Sequence, residues 1–123
     1  SGIMGGLLVY NHNYDAATLS PPGASCTGYS SNGSDGVVTA TVGPMQRLTL
    51  VYETPFDSAL YVLDGCPDTG PAACLEGADR AFGTESVTVD NNSANPVTYV
   101  IILDQYNHFG AFEYALSWNI TNL

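Results

Sequence analysis

Residues 112–118 alternate strictly, with Phe112, Tyr114, Leu116 and Trp118 on one face and Glu113, Ala115 and Ser117 on the other. That is the two-residue period of a strand with one buried face. Residues 97–103 are apolar on both faces, through Val97, Tyr99, Ile101 and Leu103 on one and Val100 and Ile102 on the other. Their β-branched content predicts a central strand covered from both sides. A polar, glycine-containing turn at 104–110 separates these two segments. Residues 85–90 alternate through Val87 and Val89 and then meet Asn91-Asn92-Ser93-Ala94-Asn95-Pro96, where side-chain amides favour a turn. The three segments are expected to form a meander.

Further upstream, residues 37–42 and 46–52 alternate as well, and Gly43-Pro44 between them predicts a hairpin. Residues 60–63 give another short strand. The most helix-like piece, 72–81, is interrupted by Gly77 and flanked by Pro71, so little more than one turn of helix is expected there. The pattern as a whole is that of an all-β, antiparallel β-sandwich.

The N-terminus departs from this plan. Ile3, Met4, Leu7, Leu8, Val9 and Tyr10 form an apolar strand weakened by Gly5-Gly6, and a long polar stretch rich in turn residues follows it as far as Asp35. Connections of that length without structure are uncommon inside a domain. The expected organisation is an N-terminal apolar strand and polar arm at 1–14 and a sandwich domain at 15–123. The strand has two possible uses. It completes the sheet of a neighbouring subunit, which repeated head to tail gives a filament or surface layer, or it folds back as an edge strand of its own sandwich.

Charge narrows the partners. The chain has 123 residues, with 12 acidic residues against two basic ones and a net charge of -10, so a phosphate backbone or an anionic membrane surface would be repelled. No apolar run approaches the roughly 18 residues of a membrane-spanning helix. Only 11% of residues are charged, below the usual quarter, and solubility rests on Thr, Ser, Asn and Tyr instead. Such a composition, together with a start at Ser1 that suits a processed chain, points to an extracellular or cell-surface protein of bacterial secretion type.

Several landmarks occur in a meaningful order: Cys26-Thr27-Gly28-Tyr29, Asp35-Gly36-Val37-Val38, the stretch from Phe56 through Asp57 to Leu63, and Cys66-Pro67-Asp68. Cys74, Gly77-Ala78-Asp79, Glu85-Ser86-Val87 and Gly110-Ala111-Phe112 then follow. Together they resemble the bacterial pre-peptidase C-terminal (PPC) domains, small sandwiches appended to secreted peptidases. The resemblance implies a jelly-roll topology, an accessory rather than catalytic role and, as in some members, bound calcium. Asp57, Asp79 and Asp104 stand at strand ends in family-like positions and are the calcium candidates, although nothing has the regular spacing of a calcium loop. No cofactor is otherwise required.

Other candidate chemistry is sparse. Of three cysteines, Cys66 and Cys74 enclose a tight loop and are expected to pair in an oxidising compartment. Cys26 is left as a buried thiol or an intermolecular link. His12 and His108 lack the company a zinc site needs, and no Gly-x-Ser-x-Gly elbow supports a nucleophile; an enzyme is not expected. Sequons at Asn32, Asn91 and Asn119 are candidate N-glycan acceptors. Tyr106 and Phe109, in a predicted loop, are candidates for exposed contacts, whereas Trp118 reads as core. Two functions emerge. One is a self-assembling, non-catalytic structural subunit, a homo-oligomer or polymer of itself. The other is a calcium-stabilised accessory module of a secreted hydrolase that holds matrix protein or polysaccharide.

Overall fold

All nine elements among the described residues are β-strands. The computed structural model describes residues 2–8, 19–20, 36–64, 72–78, 84–105 and 112–123. The strands are β1 (Gly2–Leu8), β2 (Leu19–Ser20), β3 (Gly36–Val42), β4 (Gln46–Glu53) and β5 (Ser58–Leu63), followed by β6 (Ala72–Ala78), β7 (Glu85–Asn91), β8 (Val97–Gln105) and β9 (Phe112–Asn122). They form a four-stranded sheet in the order β1-β9-β4-β7 and a five-stranded sheet in the order β2-β6-β5-β8-β3. Apart from β5 to β6 and β2 to β3, every step along the chain changes sheet, which gives the jelly-roll arrangement of an antiparallel sandwich. Among the described residues only the two-residue β2 pairs in parallel, with β6.

Parity in each strand selects the core. Leu48, Leu50 and Tyr52 of β4 and Val87 and Val89 of β7 face Leu60 and Val62 of β5 and Tyr99, Ile101 and Leu103 of β8, with Leu116 of β9 among them. All are buried. At about 25 cal/mol per Å² of apolar surface removed from water, these side chains supply the main stabilising term.

Three pairings differ from the sequence expectation. Residues 37–42 and 46–52 do not make a hairpin: β3 pairs with β8 and β4 with β7 and β9. Each strand has one buried face, and those faces meet across the interior instead of lying side by side. The three residues 43–45 can span the roughly 10 Å between packed sheets, and Met45 absorbs the turn at a φ of 55°. Nor do the last three long strands form a meander, because β8, apolar on both faces, takes a central place between β5 and β3 in the opposite sheet. The helix-like piece at 72–81 is instead β6 over Ala72–Ala78, paired with β5 across a register shift at Val62/Leu63. Pairing with a neighbour overrides the weak local preference of its alanines.

The N-terminal strand also has a definite place. β1 pairs antiparallel with β9 from Gly2↔Trp118 to Leu8↔Phe112 and is an edge strand of its own chain's sheet. Of the two uses expected of this strand, the structure has the intramolecular one. Glycines permit the close approach. The Trp118 indole lies over Gly2, where an added Cβ would stand 2.5 Å from Cζ2, and a Cβ on Gly5 would stand 2.8 Å from the Tyr114 carbonyl oxygen. Replacing a strand glycine by alanine ordinarily gains about 0.5–1 kcal/mol. Here Gly5→Ala is expected to lose about 1–2 kcal/mol, measured by denaturant unfolding, because the obstacle is backbone and β1 must move off β9.

Candidate functional site

Among the described residues the sandwich has a cleft at each edge. At one, β6 and β7 flank a cleft of about 350 Å³ lined by Leu75, Glu76, Thr88, Val89, Asp90 and Tyr99. This is toward the lower end of the range for small-molecule sites, about 300–1,000 Å³. Tyr99 enters from β8 on the core-facing parity it shares with Ile101 and Leu103. Its ring packs in the core and the residue is only 5% exposed. The hydroxyl makes no hydrogen bond among the described residues, so its one donor and its acceptor capacity are available in the cleft. Leu75, 41% exposed, adds an apolar strip.

Asp90 lies on the outward parity of β7, directly across from Arg47 of β4. The guanidinium donates from Nε to Oδ1 at 2.7 Å and from a terminal nitrogen to Oδ2 at 3.0 Å, a two-pronged clamp that fixes the carboxylate. The hydrogen bonds from Arg47 hold the Asp90 carboxyl below the usual range, and Asp90 raises Arg47 in return. The stabilising contribution of a depressed carboxyl is present above its unfolded pKa and is lost as pH falls through the folded one. For so exposed a pair the contribution is small. Burial first, and the Asp90 charge second, push the Tyr99 hydroxyl upward, so at neutral pH it stays protonated beside an ionised carboxylate. The wall therefore combines carboxylate acceptors, two hydroxyls and an apolar strip, which is hydrogen-bonding chemistry suited to a ligand bearing several hydroxyl or amine donors.

The opposite edge holds a cleft of about 320 Å³ between β1, β9 and β3. Met4, Leu50, Leu116 and Trp118 dominate it, with Thr39 and Thr41 among its polar groups. Trp118 packs against the core as its alternation implies, and its partly exposed indole also faces this opening.

The acids marked for calcium are distributed as follows. Asp57 precedes β5 and Asp104 lies near the end of β8, with Ala59 opposite it. Asp104 is fully buried; its Oδ2 accepts the Tyr61 hydroxyl at 2.6 Å and its Oδ1 the Gln105 amide at 2.8 Å. Asp79 lies outside the described residues. Among the described residues no group of three or more His, Cys, Asp or Glu side chains converges as a metal site would require. Of the glycan acceptors, Asn119 is exposed on β9 and Asn32 lies outside the described residues. Asn91 is 2% exposed, and its Nδ2 donates to the Val42, Gly43 and Asn95 carbonyls. Cys74 is in β6, while Cys66, and with it the expected bridge, lies outside the described residues, as do Val9, Tyr10, Cys26, Tyr106 and Phe109. Ile3 and Met4 are in β1, Ile3 being 76% exposed and Met4 turned to the core, and Leu7 and Leu8 continue the same strand.

Sequence reasoning did not single out Leu75, Glu76, Thr88, Asp90 or Tyr99 as a site. Parity places Tyr99 inward and Asp90 outward, but nothing local says that β6, β7 and β8 bring them to one opening. The one legible signal is scarcity: Arg47 is one of two basic residues in the chain, and a cation that rare invites a search for its carboxylate.

No family model and no curated protein matches the chain. Among solved structures it is similar to TmCBM61 in complex with β-1,4-galactotriose, with a TM-score of 0.51 and 6% identity over 99% of this chain and 88% of that one. It is also similar to CBM29-2, a family 29 carbohydrate-binding module, with a TM-score of 0.39 and 10% identity over 97% of this chain and 91% of that one. These neighbours are carbohydrate-binding modules, not PPC domains, and the first of them supports the sandwich fold.

Proposed function

We propose that this chain is a non-catalytic extracellular binding module that holds a glycan, as an accessory part of a secreted hydrolase would. The observation that carries this reading is the β6–β7 cleft. In it a tyrosine hydroxyl without a hydrogen bond among the described residues, on a residue 5% exposed, stands with Asp90 and Glu76 above an exposed leucine. Sugar rings present hydroxyl donors at their rim and C–H groups on their faces, and this wall offers a counterpart to each. The similar fold of a module that holds β-1,4-galactotriose supports the same reading. A self-assembling subunit is the weaker reading, because β1 fills the edge of its own sheet.

The test is affinity electrophoresis and calorimetry against a panel of soluble polysaccharides and their oligomers. At least one is expected to bind, and Tyr99→Phe, which keeps the ring in the core, is expected to weaken that binding about tenfold, the effect of losing one well-placed hydrogen bond. The melting temperature should stay close to that of the parent. Retention of no glycan, or equal binding by Tyr99→Phe, would overturn the proposal.

A further inference from the structure

We infer that the outer edge of β3 is a dimer interface, at which a second copy of this chain pairs antiparallel through the same strand. Among the described residues β3 pairs on one side only, with β8, and β1 of the other sheet pairs on one side only, with β9. The two strands bound the same side of the sandwich and the apolar cleft there. An edge strand presents a row of peptide groups to any other chain, and proteins that stay monomeric guard it with charge, proline, a bulge or a very short outer strand. The opposite side of this sandwich has such guards. There β7 carries Glu85 and Asp90, β6 carries Glu76 and shifts register against β5, and the two-residue β2 lies outermost. β3 has none of them: its seven residues, Gly36-Val37-Val38-Thr39-Ala40-Thr41-Val42, are uncharged, free of proline and in unbroken register with β8. β1 is uncharged as well.

Charge and sequence select the occupant. The chain carries -10, so two copies repel wherever their acids face one another, and the two strands that bound this side carry no acid. β3 is also complementary to itself. With a two-fold axis through Ala40, Thr39 stands opposite Thr41 of the partner subunit on the exposed face, and Val38 stands opposite Val42 of the partner subunit on the core-facing one. Threonine pairs and β-branched pairs across neighbouring strands stabilise a sheet. The same axis continues each sheet toward its counterpart, so the second copy covers the cleft at which Met4, Trp118, Leu50 and Leu116 reach the surface. Both copies use one patch, and the contact closes after two of them, which gives a dimer and not a filament. The β6–β7 cleft of each copy is left at a far end, and the dimer stands whatever that cleft binds.

Analytical ultracentrifugation and light scattering of the full chain over a concentration series test this. The expected result is a monomer–dimer equilibrium with a dissociation constant of about 1–100 μM, as a small interface gives. Added salt is expected to tighten it, because salt screens the repulsion between two acidic chains. Thr39→Glu, at an exposed position of β3, places like charges across the seam and is expected to weaken dimerisation about tenfold or more. Its melting temperature should stay close to that of the parent. Ser86→Glu, at an exposed position of β7, adds the same charge on the far side and should weaken dimerisation by no more than about twofold. Hydrogen exchange reads the strand itself: the amides of β3 are expected to gain protection as concentration rises, and those of β7 are not. A monomer at every concentration, an open-ended polymer, or a dimer that the two substitutions weaken equally or not at all overturns the proposal. Concentration-dependent protection at β7 in place of β3 overturns it as well.

Discussion

Asn91→Ala is expected to lower the unfolding free energy by about 3 kcal/mol. The two amide hydrogens of Asn91 are shared among the carbonyls of Val42 at 3.0 Å, Gly43 at 3.0 Å and Asn95 at 2.8 Å. Its Oδ1 accepts the Ser93 amide at 3.0 Å and the Ser93 hydroxyl at 2.7 Å. One side chain at the end of β7 thus ties the arch between β3 and β4 to the turn that leads into β8, joining the two sheets at that end. Alanine leaves buried carbonyls without their donor, each at a cost of about 1–3 kcal/mol when nothing replaces it. Asn91→Asp is expected to be at least as damaging, since a carboxylate would face three carbonyl oxygens. Urea unfolding of both variants beside Asn92→Ala checks this. The neighbouring Asn92 is exposed, and its substitution should stay within about 0.5 kcal/mol of the parent. A loss at Asn91 no greater than at Asn92 would contradict the assigned role.

Tyr61→Phe comes second, with an expected loss of about 2–3 kcal/mol. Tyr61 and Asp104 occupy the same face of β5 and β8, and both are buried. The Tyr61 hydroxyl donates to Asp104 Oδ2 at 2.6 Å, short enough to be a charge-assisted bond. Phenylalanine keeps the shape and removes the donor, so the effect isolates the hydrogen bond to a buried carboxylate. Tyr52→Phe is the comparison. Its hydroxyl donates to the Asp104 carbonyl at 3.3 Å and accepts from Gln105 at 3.2 Å, and longer, uncharged bonds should cost about 1 kcal/mol. If Tyr52→Phe proved the more damaging of the two, the Asp104 carboxylate would not depend on Tyr61.

Asn91 and Asp104, the groups these substitutions probe, are treated differently by the sequence and by the structure. Asn91 reads as a sequon in a polar turn, and Asp104 as a calcium candidate at a strand end. In the fold both are buried acceptors or donors that hold strand ends together. A polar residue next to a turn has the same sequence signature whether it faces water or caps a layer of core, because the strands that bury it lie far along the chain. Tyr99 follows the same rule. Its inward parity is visible in 97–103, yet the cleft that exposes its hydroxyl exists only where β6 and β7 approach β8.

The sequence by itself determined where most strands run and which of their residues turn inward. The segments at 37–42, 46–52, 60–63, 85–90, 97–103 and 112–118 all lie within observed strands, because the two-residue period is a local property that needs no partner to be read. The buried-on-both-sides character of 97–103 likewise anticipated a central strand. Tertiary structure decided the rest: that β3 and β4 part into different sheets, that 72–78 is a strand, that β1 closes against β9, and that Asn91, Asp104 and Tyr99 acquire their roles. Alternation specifies a face but not a neighbour. Neighbours are fixed by backbone pairing across as many as 116 positions, as in Gly2↔Trp118, and by which arrangement buries all the apolar faces at once.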